Sequence, residues 1–194
     1  MLLQADNGTV QDCTVDGSAI AGIVLMPEGL HLDQSGYSQN VVIERNTIRN
    51  TGHSYAGGSG DIGAALTITG TSDPRRRDAG PQGNRNITID SNVFDSICGC
   101  NLQVQYARSV SIKNNVFQNT HQNPCNNGDK IPTFDSHAMI WMEDVGDVTL
   151  SGNRVSNMGP YGTSLLALGH NTMDLQGVTD GIALRDKLLD NPTH

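Results

Sequence analysis

"SVSIKNNVFQNT" (109–120) and "NITIDSNVFDSI" (86–97) are nearly one phrase written twice. Each runs apolar, any, apolar, two polar residues, Asn, any, Phe. Self-similarity on this scale marks a repeat architecture. Three more stretches fit the same frame: "GTVQDCTVDG" (8–17), "VVIERNTIRN" (41–50) and "VTLSGNRVSN" (148–157). The central residue is Asn46, Asn92, Asn115 and Asn153, with Cys13 in the first copy. The steps between them are 33, 46, 23 and 38 residues. The shortest step is the bare unit; the others carry insertions.

Downstream of each copy lies a second apolar-alternating stretch: "AGIVLM" (21–26), "AALTIT" (64–69), "CNLQVQ" (100–105), "AMIWME" (138–143) and "SLLALG" (164–169). Period-two alternation predicts a half-buried strand in each. One such unit cannot bury its apolar face alone, whereas stacked units can. Stacking would pair equivalent strands in parallel about 4.8 Å apart. Ile43, Ile89, Ile112 and Leu150 are then expected as one inward ladder, and Ile48, Phe94, Phe117 and Val155 as another. The Asn ladder is expected at a bend, where Asn tolerates left-handed geometry and its amide bonds to the next rung.

The repeated N-x-I/F motifs resemble right-handed parallel β-helix proteins of the pectate-lyase-like superfamily, over roughly residues 8–169. The resemblance implies an all-β, right-handed parallel β-helix of about five coils with long inserted loops. It would occupy 1–170, with a partial coil and capping tail at 171–194. The handedness also follows from the general rule for parallel crossovers. A β-sandwich would not set Asn at the same point of each unit, and a leucine-rich solenoid would show more Leu. The opening "MLLQADNGTV" has no amphipathic cap, so further N-terminal coils or a homo-oligomer are expected to cover that end.

Composition narrows the function. The formal net charge is -8, with 12 Lys and Arg. That argues against tracking a nucleic-acid backbone, which needs clustered cations. No apolar run approaches the ~18 residues of a membrane span, and no signal peptide is visible. Cys13, Cys98, Cys100 and Cys125 lack metal-ligand spacing. A bridge from Cys98 or Cys100 to Cys125 and free buried thiols both remain open.

Odd-even counting sets the outward side chains of the second strands. With Leu66, Ile68, Leu102, Val104, Ile140 and Met142 inside, one outward column is Val24, Thr67, Gln103, Trp141, Ala167. The next is Met26, Thr69, Gln105, Glu143, Gly169. A shallow polar surface with an exposed indole suits a saccharide: amides and hydroxyls for its OH groups, an aromatic face for its CH face. Long insertions flank the same surface, and long loops are often functional.

Glycoside hydrolysis needs two carboxylates. Glu143 is the best placed, with Asp61 or Asp135 as its partner and Asp129 and Asp144 nearby in sequence. Trp141, Gln103, Gln105, Thr67, Thr69, His53, His137 and Arg76 are the expected substrate contacts. His121 stands beside the second long loop. The motifs by which pectin-cleaving hydrolases of the superfamily resemble one another (NTD, a paired DD, GHG, RIK) are missing. No acidic calcium cluster accompanies Arg108 or Lys130 as the base of a lyase. The expectation is a carbohydrate-active protein, a glycoside hydrolase or part of one. A lyase and a non-catalytic glycan-binding or fibre segment are the alternatives. An oligosaccharide or polysaccharide is the expected partner, with no cofactor and no metal, in a secreted or periplasmic setting.

Overall fold

The structure, a computed structural model, describes residues 1–27, 36–53, 62–70, 83–125 and 136–169, with the backbone of 173–176. Among these residues it is all-β, and every pairing between strands is parallel. The strands form two sheets.

The smaller sheet joins β3 (Thr14–Asp16), β6 (Thr47–Arg49), β9 (Val93–Asp95), β11 (Val116–Gln118) and β13 (Arg154–Ser156). The larger sheet holds two runs joined by two long strands, β10 (Cys100–Lys113) and β12 (Ala138–Ser151). The first half of β10 pairs with β7 (Ala64–Ile68), and its second half with β8 (Asn84–Asp90). The first run therefore comprises β1 (Leu2–Leu3), β4 (Ile23–Leu25), β7, the first halves of β10 and β12, and β14 (Ser164–Leu168). The second comprises β2 (Thr9–Gln11), β5 (Gln39–Glu44), β8, the second halves of β10 and β12, and β15 (Met173–Gln176). The repeated phrase is thus not one strand. It is a strand, a corner and a second strand.

The ladders are in register. Ile43, Ile89, Ile112 and Leu150 are successive partners, as are Ile48, Phe94, Phe117 and Val155. Phe94 and Phe117 stack with centroids 4.9 Å apart and planes 16° from parallel. Inward residues from all three runs belong to one apolar cluster, among them Leu66, Leu102 and Ile140 from the first, Ile43 and Ile89 from the second, and Ile48 and Phe94 from the third.

The corners follow from left-handed backbone at matching positions. Asn7, Asn40, Asn86, Ser109 and Asp147 all have positive φ, as do Asp12, Arg45, Ser91, Asn114 and Gly152. At a third corner stand Gly17, Asn50, Ser96, Asn119 and Asn157. Asn, Asp and Ser bond to nearby backbone in turns, and Asn and Asp tolerate φ near +55° with little cost. One expectation is corrected here. The ladder residues Asn46, Asn92, Asn115 and Asn153 are not themselves left-handed; the residue before each one is.

Their amides serve a different purpose. Asn115 Oδ1 accepts from Asn92 N at 2.9 Å and Asn92 Nδ2 at 3.0 Å. Asn115 Nδ2 donates to Ile89 O at 2.9 Å and to Asn153 Oδ1 at 3.0 Å. Asn46 and Asn92 are wired the same way. Buried amides are tolerated because each donor and lone pair is matched.

Candidate functional site

The first run carries the outward columns. Val24, Thr67, Gln103, Trp141 and Ala167 are register partners in that order. Gln105 stands opposite Glu143 in the next column. Leu66, Ile68, Leu102, Val104, Ile140 and Met142 belong to the main apolar cluster and Trp141 to a separate one, as odd-even counting expects; the counting fails at the start of these strands, where Ala65 and Met139 join the main cluster and Ala64 and Cys100 pack with Trp141.

The outward face is nevertheless not open. Thr67, Thr69, Gln103 and Gln105 are buried. Trp141 is 2 % exposed and packs with Ala64, Cys100 and Ala167. The expectation of an exposed indole is therefore corrected. An indole buried against these side chains gains more than one standing in water.

Buried polar side chains need partners, and here they find each other. Gly63 N–H donates to Gln103 Oε1 at 3.0 Å, which fixes the oxygen end of that amide. Gln103 Nε2 then donates to Gln105 Oε1 at 2.7 Å, and the Thr69 hydroxyl donates to the same oxygen at 3.0 Å. That leaves Gln105 Nε2 facing Glu143 Oε2, at 3.0 Å. Thr67 Oγ1 turns back to Ala64 O at 3.2 Å. Every amide in the chain points its donor the same way, and the chain ends on a carboxylate. Donors aimed at a carboxylate favour its ionised form.

Glu143 itself is half-buried. Gly169 lies across from it on the side away from Gln105. A Cβ built on Gly169 would stand 2.9 Å from both Cβ and Cγ of Glu143. The glycine therefore gives the glutamate its room. Sequence reasoning placed Gly169 in the right column but gave it no role.

The other expected site residues divide by position. His137 precedes β12, so it lies roughly six strand residues, about 20 Å, from Glu143. Its Nδ1 is 3.1 Å from Tyr161 O. His53 is exposed just past the Gly52 corner, with Nε2 3.2 Å from Asn50 O. The structure does not bring either histidine to Glu143. His121 is buried, with positive φ, at a corner. Asp144 holds the left-handed corner between the halves of β12, as Tyr106 does in β10. Arg108 is exposed in the second half of β10, beside Arg85 and Gly146. Asp61, Asp135, Arg76, Asp129 and Lys130 lie outside the described residues.

Of the cysteines, Cys98 is bonded to Cys125 across 27 residues. Cys13 and Cys100 take no part in that bond. Among the described residues no group of three or more His, Cys, Asp or Glu is placed to hold a metal ion. No described helix is long and apolar enough to cross a membrane.

The aspartates with perturbed acidity belong to the other two runs. A hydrogen bond from Arg45 holds Asp12 below the ordinary carboxylate range, and hydrogen bonds from Asn50 and Arg49 do so for Asp16. Burial pushes Asp90 up, but Asn114, Ser91 and Lys113 together outweigh it and its acidity is raised. Asp95 is held down chiefly by Asn119. These are ladder contacts between neighbouring strands, not a second site.

The sequence matches no model of a known protein family and no curated protein.

Proposed function

We propose that the three strand runs close into a right-handed parallel β-helix and that the protein is a carbohydrate-active enzyme, a glycoside hydrolase or part of one. Glu143 is its working carboxylate. The observation that carries this reading is the Gln105 amide set 3.0 Å from Glu143 Oε2 at the end of a one-directional donor chain. A carboxylate that accepts a hydrogen bond from a fixed amide suits the base of an inverting hydrolase or the nucleophile of a retaining one. The acid then comes from one of the insertions, from Asp61 or Asp135. Substrate contacts are reassigned in this reading. Gln103, Thr67 and Trp141 are buried, so they shape and support the surface, and the saccharide meets Glu143 and the insertions, Arg76 included. The Cys98–Cys125 bond is in keeping with a secreted or periplasmic setting.

The test is Glu143→Gln on a panel of polysaccharides, scored by release of reducing ends. Turnover is expected to fall at least ~10³-fold, since a base or nucleophile is removed, with the melting temperature nearly unchanged. Unchanged turnover removes Glu143 from the chemistry. An ultraviolet rise from unsaturated product marks a lyase instead.

A second reading has its own support. The outward polar column satisfies itself and the indole is sealed, which is how an inert face of a binding or fibre segment is built. Glycan retention without product release from any substrate, in wild-type protein, favours that reading.

A further inference from the structure

We infer that Gln105 and Gly169 are positioning residues for Glu143, the first by donating the last hydrogen bond of a directed amide chain and the second by leaving the space the glutamate occupies. This rests on the reading of Glu143 as the working carboxylate, but its physical content is tested without any substrate.

The argument begins with what a lone glutamate at this position would do. Its side chain has three rotatable bonds, and a half-buried carboxylate on a sheet has no preferred rotamer unless something selects one. Two neighbours select here. Gln105 stands directly opposite on β10 and offers Nε2 to Oε2 at 3.0 Å. Gly169, after β14, admits the Glu143 side chain where any Cβ would stand within 2.9 Å of it.

The direction of the chain also matters. Had Gln105 turned its oxygen toward Glu143, the contact would require a protonated acid. The flip is prevented from behind. Gln105 Oε1 already receives Gln103 Nε2 at 2.7 Å and the Thr69 hydroxyl at 3.0 Å, and Gln103 Oε1 is committed to Gly63 N–H at 3.0 Å. A backbone N–H cannot reverse its role, so Gly63 sets the polarity of everything down to Glu143. In low-dielectric surroundings such chains polarise cooperatively.

The charged and titratable groups on the packed elements are few. β12 itself carries Asp144 and Asp147. β10 carries Cys100, Tyr106, Arg108 and Lys113, and β14 carries none. The residues flanking Glu143 in its own column, Gln105 and Gly169, are both neutral.

The experiment is a carbon-13 titration of the Glu143 carboxyl in wild-type protein, Gln105→Met and Gly169→Ala, assigned with Glu143→Gln. Methionine keeps the length of Gln105 and removes the donor. Its Glu143 midpoint should rise, because the donor that favours the ionised form is gone. Gly169→Ala should change the Glu143 chemical shift and rotamer. If saccharide cleavage is found, both variants should lower kcat several-fold more than they raise KM. Should Gln105→Met not fold, Gln103→Met interrupts the same chain one step back and should move the midpoint the same way by less. A Glu143 midpoint unmoved by the folded variant overturns the inference. A shifted midpoint in a protein that cleaves no saccharide upholds it and overturns the enzymatic reading alone.

Discussion

Two chains of buried amides run across the strands of this protein, and they differ in how they end. The Asn46–Asn92–Asn115–Asn153 ladder is repetitive. Asn46, Asn92 and Asn115 each give one proton to the next Asn and one to a main-chain carbonyl, and the last, Asn153, gives one to Ile112 O, so the bonds stay within the ladder and its backbone. The Gly63–Gln103–Gln105–Glu143 chain is used once. Only Gln105 and Glu143 are register partners; Gln103 lies two residues back on the strand of Gln105, and the chain terminates on a half-buried carboxylate rather than on backbone. A ladder that closes on the backbone stabilises the fold. A chain that delivers its donors to an ionisable group orders that group, and that is the physical basis for looking for function at Glu143 and not at Asn115.

The largest effect is expected from breaking the closed ladder. Asn115→Ala takes the acceptor from Asn92 N and Nδ2 and the donor from Ile89 O and Asn153 Oδ1. Several unsatisfied buried groups at ~1–3 kcal/mol each should lower stability by about 4 kcal/mol or more. Urea titration checks this, and a loss under about 1 kcal/mol would show that water replaces the amide.

Breaking the open chain should cost less. Gln103→Met leaves Gly63 N–H without its acceptor, while Gln105 Oε1 keeps the Thr69 hydroxyl. A loss of about 1–2 kcal/mol is expected in the same titration. A loss equal to that of Asn115→Ala would erase the distinction between the two chains.

Corner geometry comes next. Gly152 has φ +65°, and an added Cβ would meet Asn114 Oδ1 at 2.6 Å. Gly152→Ala should destabilise by about 1 kcal/mol, whereas Gly152→Asn should recover part of it, because Asn already fills the corresponding corner at Asn114. Melting temperatures of the pair decide the matter.

The smallest effect separates surface carboxylates from buried amides. Asp90 and Asp95 have folded-state acidities raised above those of an unfolded chain. Their contribution is present above the ordinary aspartate value of 3.8 and is lost as the pH falls through the lower folded values. A modest drop in melting temperature is expected below that point, reduced in Asp95→Asn. Salt should weaken it, as screening does for exposed pairs. The ladder amides do not titrate, so the Asn115→Ala loss should be insensitive to pH in the same range.

The architecture was legible in the residues because it repeats. The Asn92 and Asn115 phrases, the apolar ladders and the parity of 102–105 and 140–143 all come from period-two alternation and a fixed motif, and the structure keeps them in register. Two things were not legible. The corner inside each phrase hides because the left-handed residue is Arg45, Ser91, Asn114 or Gly152, four different residues at one geometry. Trp141 misled because parity tells which way a side chain leaves the sheet and nothing about what lies above it.

By itself, then, the sequence determined an all-β chain with parallel strands, because identical residues gain most when they stack on one another. Only the tertiary structure decided that the outward column is buried, that Cys98 and not Cys100 bonds to Cys125, and that Gln105 presents its nitrogen to Glu143. Those outcomes depend on contacts between segments distant in the chain. No local pattern of residues encodes which neighbour will be there.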